Sequence, residues 1–105
     1  MDYDSIEVKN NTEAHRYEAN INEHLAVLTY IKRGNHITFL HTGVPTELEG
    51  HGVANKLAHT ALEDARTQHL TVTPICPFVA AYIRHHQEYL SLLTESERET
   101  FLQNQ

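Results

Sequence analysis

Three places in this chain combine residue types that can do chemistry. The first is Glu49-Gly50-His51-Gly52-Val53-Ala54, followed by Asn55, at the head of an amphipathic stretch. Glycines let successive backbone N–H groups turn toward one point, and a helix start adds roughly half a positive charge. Such a segment can seat an anion and suits a diphosphate. A glycine-x-glycine ahead of a helix is also ordinary turn chemistry, so the motif alone leaves both readings open.

The second place is Thr73-Pro74-Ile75-Cys76-Pro77-Phe78. Pro77 fits the first helical position, where its missing N–H costs nothing, and it holds Cys76 extended, as an N-cap is. A thiol there lies where the helix dipole favours thiolate; the other fate of a lone cysteine is a small buried hydrophobe. The third place is His41, which reads either as a base or as a polar strand end. Tyr82 is a candidate proton donor, or a core aromatic with a wet hydroxyl. The nine histidines invite a metal, yet none has a recognisable ligand spacing. The rings of His85 and His86, adjacent on a helix, point apart, and no metal site is expected.

These residues need elements to hold them. Ile6 and Val8, then Tyr17, Ala19 and Ile21, alternate with polar residues and predict two short strands. Leu25 to Ile31 is apolar on both pleat faces and reads as a strand covered on both sides. Lys32-Arg33-Gly34-Asn35 is a turn, and Ile37 to Val44 resumes the strand pattern, completing a hairpin that ends at Gly43 and Pro45. From Gly52 to Gln68 the period becomes helical, with Val53, Leu57, Ala58, Ala61, Leu62 and Ala65 on one face. Leu70, Val72 and Ile75 mark a further strand. Strand–helix–strand with one crossover implies a parallel pair. A helix follows from Pro77 to about His86, and Thr94 with Glu97 forms a capping-box pattern before a last helix reaching Phe101 and Leu102. The order ββββ-α-β-α plus a tail helix makes an α+β sheet.

A chain of 105 residues is expected to be one domain spanning residues 1–105. A single cysteine excludes an intrachain disulfide and a cysteine-based zinc finger. No apolar run is long enough to span a membrane. The amino end, Met1 to Asn11, is acidic and polar and reads as neither signal nor transit peptide, so the default address is the cytosol. A net charge of −6 argues against nucleic acid and anionic membranes as partners.

Taken together these motifs resemble the GNAT-type N-acetyltransferases, and within them a small single-domain branch of about this length. The resemblance rests on His41-Thr42-Gly43-Val44-Pro45, on Glu47 to Ala54, and on Pro74-Ile75-Cys76-Pro77-Phe78-Val79 running into Ala81-Tyr82-Ile83-Arg84. It covers roughly residues 6–90. It implies a mixed, mostly antiparallel sheet with a splayed parallel pair and flanking helices, without the two helices and final strand pair of larger relatives. It implies acetyl-coenzyme A as cofactor, with Thr42, Gly43 and Val44 along the pantetheine arm. The loop Glu49, Gly50, His51, Gly52, Val53, Ala54 and Asn55 would then lie at the diphosphate. Glu47 stands where the wider family has Arg or Gln. Acetyl transfer to an amine follows, with an open acceptor side suited to an exposed protein or peptide amine. Cys76 and His41 are the expected reacting pair, by direct or covalent transfer, and Tyr82 the reserve acid. The competing expectation is a noncatalytic acyl-coenzyme A binding or adaptor module. A monomer or weak homodimer is expected.

Overall fold

The computed structural model describes residues 6–103, so the first five residues of the polar amino end and the last two of the tail lie outside it. Five strands form one sheet in sequence order: β1 (Lys9–Asn11), β2 (Arg16–Ile21), β3 (His24–Arg33), β4 (His36–Gly43) and β5 (Thr71–Pro74). The first four make an antiparallel meander. β5 lies parallel to β4, reached through α1 (Val53–Thr67). The helices α2 (Pro77–His85) and α3 (Glu95–Gln103) follow, with short 3-10 turns at Thr46–Leu48 and Gln87–Leu92. The α+β order read from the sequence is the observed one.

The core lies between α1 and one sheet face. Leu57, Ala58, Ala61, Leu62 and Ala65 of α1 are buried against Tyr17, Ala19, Ala26, Leu28, Ile37, Phe39 and Val72. Three alanines on the helix stripe let its backbone approach the strands closely. α2 joins the same core through Val79, Tyr82 and Ile83. Tyr89 fastens α1 to the 3-10 turn after α2: its hydroxyl donates to Glu63 Oε2 at 2.6 Å.

Two expectations are corrected. β3 is covered on one face only: Ala26, Leu28 and Tyr30 are buried, while Leu25 is 37% and Ile31 45% exposed. An apolar run interrupted only by Thr29 permits cover on both faces but does not supply it, and α1 lies on one. The first strand is Lys9–Asn11, not the Ile6–Val8 segment ahead of it. Ile6 and Val8 pack against the core outside the strand, and β1 is tied down by its ladder to β2 and by Tyr30, whose hydroxyl donates to Asn10 Oδ1 at 2.7 Å. In the tail, the Glu97 N–H donates to Thr94 Oγ1 at 3.3 Å. The Glu97 carboxylate accepts from the hydroxyls of Thr94 and Thr73, each at 3.1 Å, which docks α3 to β5.

Candidate cofactor groove

The groove begins where β4 and β5 part. Their register runs from His36 opposite Thr71 to Phe39 opposite Pro74 and then stops, although β4 continues to Gly43. The Phe39 carbonyl accepts the last bond, from the Cys76 N–H at 2.8 Å. Pro77 then turns the chain into α2, with Cys76 at its N-cap (φ −59, ψ 121), as its sequence neighbours predict. β4 carries a bulge at the same level: Thr29 pairs with His41 but Tyr30 with Phe39, leaving Leu40 as the extra residue. A bulge bends its strand and sharpens the local twist. The bulge and the start of α2 thus fall where the β4–β5 ladder ends, and the backbone from Leu40 to Gly43 has no β5 partner.

Beside this opening lies a cavity of about 220 Å³ lined by Val44, Leu48, Glu49, Gly50, Gly52, Val53, Ala54, Asn55 and Phe78. Gly50 and Gly52 have φ of +82 and +77, the left-handed region that side chains rarely adopt, and a Cβ on either would meet nothing within 4 Å. Gly52 is the N-cap of α1, and no side chain caps the helix there. The first N–H groups of the helix, from Val53, Ala54 and Asn55, therefore lie at the cavity without a capping oxygen. Open space beside glycine backbone and uncapped helical amides fits a diphosphate. Glu47 does not line the cavity; its carboxylate is 3.8 Å from His24 Nδ1 on β3. Glu49 does line it, while His51 is exposed and outside the lining.

A second cavity of about 280 Å³ extends the groove between α1 and α2, sharing Asn55 and Phe78 with the first. Leu48 and Phe78 were not among the expected contacts. Phe78, at the second position of α2, is 36% accessible and walls both cavities, a role that its place in the sequence motif does not reveal. Leu48 carries no signal either; it is the buried floor of the 3-10 turn.

The three candidate reacting residues separate. Cys76 is buried, and its Sγ lies 3.2 Å from Thr42 Oγ1 in a hydrogen bond across the opening. Antiparallel partners share a sheet face, so Thr42, opposite Leu28, points to the α1 side. His41, opposite Thr29, points to the other side and is exposed. The structure therefore does not bring His41 and Cys76 together. The Tyr82 hydroxyl is turned along the α1–α2 seam, 3.5 Å from His59 Nδ1, with its ring stacked on His86 at 4.0 Å. Burial, then the carboxylates of Glu88 and Glu63, push Tyr82 above its ordinary pKa, so it holds its proton.

Residues 16–92 match the profile of the GCN5-related N-acetyl-transferase family. The chain is also similar to a solved structure, the NMR solution structure of a GCN5-like putative N-acetyltransferase from Staphylococcus aureus. The two share 29% identity over 85% of this chain and 88% of that one, with a TM-score of 0.66. No curated protein matches. Among the described residues no helix is long and apolar enough to cross a membrane.

Proposed function

The chain belongs to the GCN5-related N-acetyltransferases, and from that premise we propose that it moves the acetyl group of acetyl-coenzyme A directly to an exposed peptide or protein amine. The observation that carries this reading is the parting of β4 and β5 beside a cavity rimmed by Gly50, Gly52 and the uncapped start of α1. Val53, Ala54 and Asn55 would hold the diphosphate through their N–H groups, and the backbone of Thr42, Gly43 and Val44, on the side that β5 leaves open, would hold the pantetheine arm. Acetyl-coenzyme A supplies an acyl group already activated as a thioester, so that a C–N bond forms as the C–S bond breaks and free thiol leaves.

The placement of His41 supports direct attack. From the sheet face away from α1 it takes the proton that the amine loses, a service usually worth about 10²–10⁴ in rate. Thr42 and Cys76 work on the other side of the strand. Their hydrogen bond fixes the side chains across the opening, where either the hydroxyl or the thiol could donate to a departing sulfur. A covalent route would need a base beside Cys76, and His41 faces away from it. Tyr82, turned toward His59, braces the α1–α2 wall of the groove.

Incubation with acetyl-labelled coenzyme A and a peptide amine, followed by mass spectrometry, tests the reading. Label is expected on the peptide, with thiol release that depends on peptide, and none on Cys76. Label retained on Cys76 and then chased to the peptide would replace direct attack with covalent transfer. Binding without label on any amine would end the proposal.

A further inference from the structure

The sheet face turned away from α1 carries a feature that acetyl transfer as such does not explain. Ile31 opposes Thr38 and Arg33 opposes His36 across the hairpin, and Thr38 lies beside Thr73, so their side chains form one field on this face. A cavity of about 240 Å³ is lined there by Ile31, Arg33, His36, Thr38, Leu40 and Ile75. Ile75 is 61% and Ile31 45% exposed, a costly way to leave two large apolar groups. The polar groups around them are mostly committed. His36 meets the Thr71 and Thr73 hydroxyls at 2.5 and 2.7 Å, and Glu97 accepts from Thr73 and Thr94. The Arg33 guanidinium has no hydrogen bond or ion pair among the described residues. Arg33 is the one permanently charged side chain in the cavity's lining, at its far end, and the Glu97 carboxylate, held by its two hydroxyls, lies outside that lining.

Resting on the acetyl-transfer reading, we propose that this groove recognises the acceptor, a free, extended apolar tripeptide or tetrapeptide whose amine lies at His41 and whose carboxylate, at its other end, meets Arg33. The spacing follows from the strand. His41 and His36 are five residues apart on β4, at most about 17 Å at ~3.3 Å per residue, and Arg33, opposite His36, lines the same cavity as Leu40 and so takes up part of that distance. What remains is the length of three or four extended residues at ~3.3–3.6 Å each. Between the two ends, Leu40, Ile75 and Ile31 offer contact to apolar side chains. A second copy of the chain is the poorer occupant. A stable interface takes about 20–30 residues a side, and this field has an arginine but no carboxylate in its lining to answer it.

Amide-resolved NMR titration of the full chain with trileucine, trileucine amide and triserine tests the proposal independently of turnover. Trileucine is expected to move the amides of Ile31, Thr38, Leu40 and Ile75. Amidating its carboxylate, or replacing Arg33→Gln, should weaken it by the same roughly threefold to fivefold, with no further loss when both are done. Ile75→Ser should weaken trileucine and leave triserine unchanged. Equal binding of acid and amide, shifts confined to other residues, or peptide-free dimerisation that moves these same amides would overturn it. Acetylation of other amines with no preference between acid and amide would end the groove proposal alone. Binding at these amides with no acetylated trileucine would support the groove and end acetyl transfer to this acceptor.

Discussion

Between His36 and Phe39 the β4–β5 pair is laddered, and His36 pins it further by touching two threonines of β5; between Leu40 and Gly43 the same β4 runs without its neighbour. The closed half is held by backbone bonds and a side-chain clamp. The Cys76 N–H to the Phe39 carbonyl ends the closed half, and the open half is spanned by the Thr42–Cys76 contact. What separates the halves is local chemistry. A bulged residue on one strand and a proline-started helix on the other fall at the same level, and each diverts its strand. The halves divide the work: one keeps the sheet together, the other exposes backbone to a ligand.

That division can be broken at either end. The largest effect is expected from His41→Ala in the open half, with kcat falling about 10²–10⁴-fold in a thiol-release assay while coenzyme A affinity holds. His36→Ala in the closed half should instead lower stability by about 1–2 kcal/mol in denaturant unfolding and also leave coenzyme A affinity unchanged.

Next in size is a matched pair of glycines, both left-handed and both with open space where a Cβ would go. Gly52→Val at the groove should weaken coenzyme A roughly tenfold to a hundredfold by calorimetry, because strain of ~1–3 kcal/mol re-aims the helix amides. Gly34→Val in the hairpin, with φ of +58, should lose stability alone. Thr42→Val keeps the shape and removes the hydroxyl from Cys76. A loss of roughly fivefold in kcat/KM, with the melting temperature nearly constant, would place that bond in the reaction rather than in the fold.

The smallest effect concerns the α1–α2 seam behind the groove. The Tyr89 hydroxyl first, then the Arg66 guanidinium, hold the Glu63 carboxyl below its ordinary value of 4.5. A depressed carboxylate stabilises the fold above that ordinary value and loses its contribution as pH falls through the lower one. Thermal melts from neutral pH into acid should therefore descend less steeply in Glu63→Gln than in the native chain.

Much of this was legible in the residues themselves. The change of period at Gly52, the Pro77 signal for α2 and the hairpin turn at Lys32–Asn35 are local patterns, and local patterns survive folding. Gly50 and Gly52 were readable as candidates for unusual backbone, and both have positive φ. The one-sided cover of β3 was not legible, because Leu25 and Ile31 are apolar in sequence whether or not a helix lies over them. The facing of His41 was hidden for a different reason. Alternation along β4 is broken by the bulge at Leu40, and only the register across to Thr29 tells which side the imidazole takes. Phe78 stood within a recognised motif, yet its role as groove wall depends on α2 lying beside the start of α1.

The central claim is that the uncapped start of α1 and the end of β4 that β5 leaves open receive one ligand together. Amide-resolved NMR titration with coenzyme A reads both at once. The account predicts that the amides of Gly50 to Asn55 and of Thr42 to Val44 shift with a single saturation curve, while those of His36 to Thr38 and Thr71 to Thr73 stay still. Shifts confined to the closed half, or no shift at residues 50–55 at saturating nucleotide, would contradict it.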